Sequence, residues 1–267
     1  MRTLLLLLLW NYSFAQNFTG TVLNKQDNTP VEYVNIGIPG KDIGTVSDRS
    51  GIFNISLTET SDNDTLLFSC TGYQTVALTI GDLNKNTGKV FFMSKLANTA
   101  TPVRTKLSSP VKKTLGITSR SKISDADMEG GPLGSEWGII IKTRKPALLE
   151  NVIINLKGCT FDSIFYRLNI YRIGKNKDFK NILTRPVYVK LSKDEYADEI
   201  IFNILEENIV VSEDFLITLE QVAHLGKGSI KLCSNLWDET YLRSTSHGKW
   251  ETLPIGFSIS VDALVEK

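Results

Sequence analysis

The chain has 267 residues, a length that allows one large or two medium-sized domains. Its 30 lysines and arginines nearly balance its 29 aspartates and glutamates. This balance gives no electrostatic reason to expect nucleic acid or an anionic membrane as a partner. No run beyond the N-terminus approaches the ~18 apolar residues of a membrane-spanning helix, so no transmembrane segment is expected in the mature chain.

Residues 1–15 have the pattern of a secretion signal. A short positive start precedes the apolar run Leu4–Trp10, and the small residues Ser13 and Ala15 then mark a cleavage site before Gln16. The apolar run spans only ~10 Å as a helix, far less than the ~30 Å of a membrane's hydrocarbon core. We therefore expect an exported protein that is periplasmic, outer-membrane-associated or extracellular.

Residues 16–97 show the alternation of half-buried antiparallel strands. The alternating apolar sets are Val34, Ile36 and Ile38; Phe53, Ile55 and Leu57; and Val76, Leu78 and Ile80. Turn residues recur at a spacing of roughly ten residues, which suits a β-sandwich. Among them, Asp48 is interpreted as the cap of its own turn, with Gly51 supplying a conformation that a side chain would forbid, rather than as a calcium ligand.

The same region resembles a known family. The similarity lies in the opening strand at Gly20–Val22, the second strand at Pro30–Ile36, the glycine-threonine and acidic-turn signature of Gly44–Phe53, and the late glycine-tyrosine at 72–73. These stretches resemble the carboxypeptidase regulatory-like domain. The resemblance implies a seven-strand, transthyretin-like β-sandwich over 16–97, a binding or structural module that Gram-negative bacteria attach to exported proteins.

The zinc peptidase that accompanies this domain in some proteins is a separate unit. Such an enzyme needs a histidine followed three residues later by glutamate, and a second, distant histidine. The chain has two histidines, His224 and His247, and neither is followed by glutamate at that spacing. We expect no metal site, no cofactor and no carboxypeptidase activity.

Residues 98–124 contain several lysines and arginines, many serines and threonines, and no acidic residue. This composition predicts an exposed basic linker between two separately folded sandwiches.

Strand patterning returns over 125–267. Large apolar residues alternate at Trp137, Ile139 and Ile141, and again at Phe215, Ile217 and Leu219. We expect a second, larger antiparallel sandwich of jelly-roll type, so that the whole chain is all-β. Three segments, 134–138, 167–171 and 214–220, resemble the uncharacterised β-rich domain that often follows the regulatory-like sandwich.

Trp237 is the best candidate for ligand stacking. Exposed tryptophan faces stack on sugar rings, and Asn235, Asp238 and Glu239 give this tryptophan a polar setting. Trp137 and Trp250 are instead expected to pack in the core.

A structural ion pair is expected between Arg167 and Glu220. Each is the charged residue of an otherwise apolar strand motif, YRLNIY and FLITLE, and alternation places it on the face opposite its apolar neighbours. If these strands lie side by side, the arginine can grip the carboxylate with its planar fork.

Catalytic signatures are missing from the sequence. The acidic pairs Glu206–Glu207 and Glu213–Asp214 could serve a glycosidase, but adjacent residues on a strand point to opposite faces. No Gly-x-Ser-x-Gly nucleophile motif occurs. We expect a non-enzymatic binding or scaffolding module of the cell envelope, with an unknown envelope protein or glycan as partner. The alternatives are a carbohydrate-binding accessory protein and a hydrolase that uses scattered carboxylates.

Cys70, Cys159 and Cys233 make an odd number of cysteines for an oxidising compartment. Two arrangements are compatible with the sequence: one disulfide, for instance Cys159 with Cys233, plus a free thiol, or three buried thiols.

Overall fold

The computed structural model describes residues 17–85, 87–96, 107–121 and 126–267. The predicted secretion signal at 1–15 lies outside these residues, as do parts of the predicted linker.

Alternation of apolar and polar residues folds the first part of the chain into two facing sheets, which together have seven strands in the described residues. One sheet has the order β4-β1-β7, and the other has the order β3-β2-β5-β6. The strands are β1 (Asn17–Asn24), β2 (Asn35–Gly37), β3 (Gly44–Val46), β4 (Ile52–Ser56), β5 (Thr65–Ser69), β6 (Val76–Thr79) and β7 (Val90–Met93). The predicted seven-strand sandwich is confirmed.

Two details of the first sandwich differ from the antiparallel strands that the sequence predicts. β1 pairs with β7 in parallel, although it pairs with β4 in antiparallel fashion. Ile80, expected on a strand, begins the short helix α1 (Ile80–Lys85), which buries Ile80 and Leu83 against the core. Asp82 accepts a hydrogen bond from Thr79 at the start of this helix, and this local bonding competes with continuation of the strand.

The turn at Asp48 has the expected geometry. The carboxylate oxygen Oδ1 of Asp48 accepts hydrogen bonds from the backbone N–H groups of Ser50 at 2.8 Å and Ile52 at 2.9 Å. Gly51 has a φ of +73°, a left-handed conformation that glycine adopts without steric cost. Asp48 therefore acts as the cap of its own turn.

The second sandwich is also built from two large sheets. Its strands are β8 (Val111–Gly116), β9 (Ala126–Glu129), β10 (Glu136–Ile141), β11 (Ala147–Cys159), β12 (Ser163–Ile173), β13 (Phe179–Asn181), β14 (Val187–Ser192), β15 (Glu199–Asn203), β16 (Val210–Val211), β17 (Phe215–Gln221), β18 (Ser229–Leu232), β19 (Ser234–Asn235), β20 (Thr240–Arg243), β21 (Glu251–Leu253), β22 (Gly256–Phe257) and β23 (Ile259–Val265). Together with the first sandwich, this confirms the predicted all-β fold.

One sheet of the second sandwich has the order β13-β12-β17-β10-β20-β21, with β14 also paired to β12. The other has the order β8-β23-β11-β18-β9, with β15 and β16 paired to β11. Trp137 lies in the core between the sheets and contacts Tyr166 and Phe257 edge to face. Trp250, expected in the core, lies outside the strands and packs against Tyr171 at the outer face of the first of these sheets.

The predicted linker over 98–124 is corrected by the structure at Val111–Gly116. This segment is strand β8, which pairs along its length with β23 at the edge of the second sandwich. Beyond it, Arg120 forms an ion pair with Glu199 of the same sandwich. Apolar and polar residues alternate only weakly in this edge strand, because most of it faces solvent. In the segment VKKTLG only Val111 and Leu115 are partly buried. The amino-acid composition of this strand is therefore similar to that of an exposed linker.

All three cysteines are free thiols in the structure. Cys233 is buried, and Cys70 and Cys159 are partly buried. Burial also raises the pKa of the Cys70 thiol, which makes it a poor nucleophile. We predict that thiol titration of the unfolded protein, without reductant, finds three thiols per chain. A single reactive thiol per chain would instead show that a disulfide forms.

Candidate functional site

One face of the sheet that contains β12, β17, β10 and β20 carries polar and charged side chains, although this face is buried. Along β12, the residues Tyr166, Leu168 and Ile170 enter the core of the second sandwich. Their neighbours Arg167 and Asn169 point the other way, yet each is only 2% exposed. The face is buried because the first sandwich and the loop after β20 lie against it.

Four charged residues form a row across this face, which we call the charged row. Strand register places Arg167 opposite Glu220, Glu220 opposite Glu136, and Glu136 opposite Arg243. Two carboxylates thus occupy the middle strands, and an arginine flanks each of them. Like charges directly opposite each other destabilise a sheet. The flanking arginines offset this cost by pairing with the carboxylates.

Arg167 and Glu220 form the ion pair that their motifs suggested, although the geometry differs from the expected fork. Arg167 donates from Nε at 2.9 Å and from Nη2 at 2.8 Å to the same oxygen, Oε2 of Glu220. The side chains are 3% and 0% exposed. The other oxygen, Oε1, is buried without a hydrogen-bond partner among the described residues. Burial opposes the charge on Arg167, but the Glu220 carboxylate together with Cys70 and Tyr188 outweighs this effect, so the guanidinium pKa is raised.

The second pair, Glu136 with Arg243, was not predicted from the sequence. Arg243 donates from Nε to Oε2 of Glu136 at 2.8 Å. Asn169 joins the two pairs, because its Nδ2 donates to Oε1 of Glu136 at 3.0 Å and to Oε2 of Glu220 at 2.8 Å. The signal was present in the sequence: Glu136 is the polar residue of an apolar strand, EWGIII, as Arg167 and Glu220 are in theirs.

The charged row also holds the first sandwich in place. Arg167 donates from Nη1 to the backbone carbonyl of Tyr33 at 2.7 Å, and its Nη2 bonds the side chain of Asn35. The ring of Tyr33 contacts the ring of Phe165 edge to face, with centroids 5.3 Å apart. The two sandwiches are therefore joined by a buried interface.

A second contact comes from residues 244–248, which follow β20 and which we call the docking loop. Ser244 donates from its hydroxyl to the carboxylate of Asp42 at 2.5 Å, and the N–H of Gly40 donates to the carbonyl of His247 at 3.0 Å. His247 has a φ of +60°, a left-handed conformation uncommon outside glycine. The surrounding contacts hold this conformation and so fix the loop on the first sandwich.

Two glycines of the first sandwich are explained by this loop. A Cβ at Gly37 would lie 2.2 Å from the carbonyl oxygen of Ser246, and one at Gly44 would lie 2.4 Å from the same atom. Neither glycine has a positive φ. Close approach of the docking loop, and not the backbone conformation, therefore requires glycine at both positions.

His247 is the titratable group at the centre of this contact. Its Nε2 lies 3.1 Å from the hydroxyl of Ser69 at the end of β5. Burial, followed by the nearby Arg243 guanidinium, lowers the pKa of His247 to about 4, and a hydrogen bond to the backbone of Asn35 offsets this only in part. The imidazole is therefore neutral at neutral pH.

This depressed pKa predicts a pH-dependent stability. The unfolded chain binds a proton at this histidine below pH ~6.5, whereas the folded chain does so only below about pH 4. Stability from His247 is thus fully present above pH ~6.5 and declines as the pH falls toward ~4, by roughly 2–3 kcal/mol. Urea titrations should show this loss in the wild type and not in His247→Asn, whose side chain tolerates a left-handed backbone.

His224→Asn is the matched control, because His224 is exposed. It should keep the pH dependence of the wild type. Equal pH profiles for His247→Asn and the wild type would contradict the prediction.

Two arrangements at the interface superficially resemble catalytic groups. Ser69 and His247 lie at the distance of a nucleophile and its base, but Arg243 and burial disfavour the imidazolium that such a base must form. Glu136 and Glu220 are cross-strand neighbours, as the carboxylates of a hydrolase could be, but both side chains are 0% exposed and held by arginines. Burial and the arginine pairs therefore disfavour acid–base chemistry in both arrangements.

A cleft of about 430 Å³ opens beside the charged row, between the two sandwiches. The first sandwich contributes Asn35 and residues 69–73, Thr75 and Leu96 to its walls. The second contributes the following residues: Arg167, Asn169, Tyr171, Phe179, Lys180, Asn181, Leu183, Arg243 and His247. The volume lies within the ~300–1,000 Å³ of small-molecule sites.

Trp237 lies away from this cleft, at the turn between β19 and β20. Its side chain is 92% exposed, and that of the adjacent Leu236 is 65% exposed. The side-chain oxygen of Asn235 accepts hydrogen bonds from the backbone N–H groups of Trp237 at 3.2 Å and Asp238 at 3.1 Å. The turn thus presents the indole from a fixed backbone.

The acidic pairs considered from the sequence do not come together as facing couples. Glu207 is bound by Arg185, with distances of 2.6 and 2.8 Å, and Asp214 caps the backbone N–H of Thr143 at 2.9 Å. Within the described part of the chain, no group of three or more His, Cys, Asp and Glu side chains is placed to hold a metal ion. Across the same residues, no helix is both long and apolar enough to cross a bilayer.

The first sandwich matches a known family. Residues 18–102 match the family described as "CarboxypepD_reg-like domain". The chain therefore contains a carboxypeptidase regulatory-like domain, as the resemblance over 16–97 predicted. The match does not extend to the second sandwich, whose resemblance to an uncharacterised β-rich domain stays a prediction. No curated protein sequence matches the chain significantly.

Two solved structures are similar to the chain at low identity. One contains the cysteine protease and lectin-like domains of Cwp84, a surface layer associated protein of Clostridium difficile, with 10% identity, a TM-score of 0.41, and coverage of 88% of this chain and 59% of that chain. The other is the clostridial cysteine protease Cwp84 after propeptide cleavage, with 12% identity, a TM-score of 0.41, and coverage of 93% and 70%. Similarity at this level carries no argument about function.

Proposed function

We propose that the protein is an exported, non-enzymatic binding or scaffolding module of the bacterial cell envelope, and that it binds through the cleft between its two sandwiches. One observation carries the proposal. Both sandwiches contribute to a single open cleft, while the carboxylates behind it are locked in buried ion pairs. A cleft with many polar groups favours recognition. The two carboxylates behind it are poor candidates for an acid or base because each is paired with an arginine.

The envelope location is supported by two features. Residues 1–15 have the sequence pattern of a secretion signal, and residues 18–102 match the regulatory-like family. A periplasmic, outer-membrane-associated or extracellular location is consistent with both. The partner is an envelope protein or glycan that reaches the cleft.

Co-sedimentation of the purified mature protein with isolated cell envelopes tests the proposal. Thr75 is exposed on the cleft wall, so Thr75→Trp should fill the cleft and raise the apparent Kd by about tenfold or more. Gln74→Trp is the matched control, because Gln74 is the adjacent exposed residue and lies outside the cleft lining. Unchanged binding by Thr75→Trp would contradict the proposal, as would release of cleaved glycan or peptide from the envelopes.

A second candidate function is carbohydrate binding through Trp237. The observation that favours it is the 92% exposure of an indole on a hydrogen-bonded turn. Trp237→Ala in the same co-sedimentation experiment separates the two ideas. Loss of binding with Trp237→Ala but not with Thr75→Trp would favour the tryptophan.

A further inference from the structure

The cleft walls carry positive charge. Arg167, Arg243 and Lys180 line the cleft, and none of the described lining residues is acidic. Glu136 and Glu220 lie behind the arginines and neutralise them. Lys180 is exposed and makes no ion pair with any described residue, so it leaves one uncompensated positive charge in the lining.

Arg243 also keeps donors available for a ligand. Its hydrogen bonds within the described chain come from Nε and Nη2, toward Glu136 and Tyr171. Its guanidinium lies over the ring of Trp250, 4.8 Å from the ring centroid, which holds the group in place. The Nη1 group is therefore a positioned donor at the cleft, suited to an anionic oxygen.

The remaining polar lining consists of groups that both donate and accept hydrogen bonds. Asn169, Asn181 and Tyr171 are already engaged within the protein, because Asn169 and Tyr171 donate to Glu136 and Asn181 donates to Asn169. The groups left for a ligand are the amide nitrogen of Asn35 and the hydroxyls of Thr71, Tyr73 and Thr75. Sugar hydroxyls also donate and accept, so such a lining matches them regardless of their orientation. Both sandwiches add aromatic rings to the lining, and Tyr73 of the first and Phe179 of the second can cover the apolar face of a sugar.

We infer that the cleft binds an acidic saccharide, with the sugar carboxylate at Arg243 and Lys180 and the sugar hydroxyls at Asn35, Thr71, Tyr73 and Thr75. The inference rests on the proposed function, since it names the ligand class of the same cleft. An acidic peptide shares the carboxylate, but it lacks the hydroxyls that would pair with these lining groups.

Calorimetry with defined probes tests the inference on the full mature chain. A short oligogalacturonide should bind. Its methyl ester has the same rings without the charge and should bind at least about tenfold more weakly. Thr75→Glu places a carboxylate in the cleft and should weaken binding of the oligogalacturonide by about tenfold. Gln74→Glu adds the same charge outside the lining and should change the Kd by less than about threefold.

Three results would overturn the inference: equal affinity for the acid and its ester, equal effects of the two glutamate substitutions, or binding of a glutamate oligopeptide in place of the saccharide. Failure of the inference is distinguishable from failure of the proposed function. If the oligogalacturonide does not bind but Thr75→Trp still abolishes envelope binding, the ligand class is wrong and the cleft is still the binding surface.

Discussion

Replacing Arg167 by methionine is expected to lower the free energy of unfolding by about 3–5 kcal/mol. The substitution leaves the Glu220 carboxylate, whose side chain is 0% exposed, without its cationic partner. It also removes the donor to the carbonyl of Tyr33 in the first sandwich. A buried charge or carbonyl without a partner loses its hydration and gains nothing in return. Denaturant titration measures the loss.

The double variant Arg167→Met, Glu220→Met should be considerably more stable than the sum of the two single losses predicts, because no unpaired charge is left. Arg185 and Glu207 provide a matched control pair with comparable distances, 2.6 and 2.8 Å, but the Arg185 side chain is 60% exposed. Arg185→Met should cost only ~0–1 kcal/mol. Similar losses for Arg167→Met and Arg185→Met would show that burial of the charged row does not matter.

Gly37→Ala is expected to displace the docking loop from the first sandwich. The added Cβ would lie 2.2 Å from the carbonyl oxygen of Ser246, closer than real contacts allow. The loop must move, and the bond from the N–H of Gly40 to the carbonyl of His247 is then lost. We expect a destabilisation of about 3 kcal/mol or more, at the upper end for overpacked sites. Hydrogen exchange at the Gly40 amide should accelerate.

Gly158→Ala is the control for this substitution. Nothing lies within 4 Å of a Cβ at Gly158, and its φ is not in the left-handed region. Gly158→Ala should change the free energy of unfolding by no more than about 0.5 kcal/mol. Unchanged exchange at Gly40 in the Gly37→Ala protein would mean that the docking loop does not require this glycine.

The two sandwiches could be predicted because burial of one sheet face imposes a period of two on the sequence. The same logic placed Arg167 and Glu220 together, since each breaks the apolar pattern on one face of its strand. It could also have placed Glu136, which is likewise the charged residue of an otherwise apolar strand. Strand β8 escaped prediction because an exposed edge strand has few large apolar residues.

The interface between the sandwiches could not be predicted from the sequence. It depends on the docking loop, which has no periodicity, and on Gly37 and Gly44, which a sequence cannot distinguish from turn glycines. The cleft is formed by residues far apart in the chain, from Asn35 to His247. No local pattern indicates which of them become neighbours.

Hydrogen exchange of the mature protein with and without isolated envelope polysaccharide tests the central claim most directly. If the cleft is the binding surface, the ligand should increase protection on both walls, at Thr71, Gly72, Tyr73 and Thr75 of the first sandwich and at 179–181 of the second. Both sets should respond together, because one ligand contacts both. Protection confined to the turn that carries Trp237, or to one sandwich alone, would contradict the account.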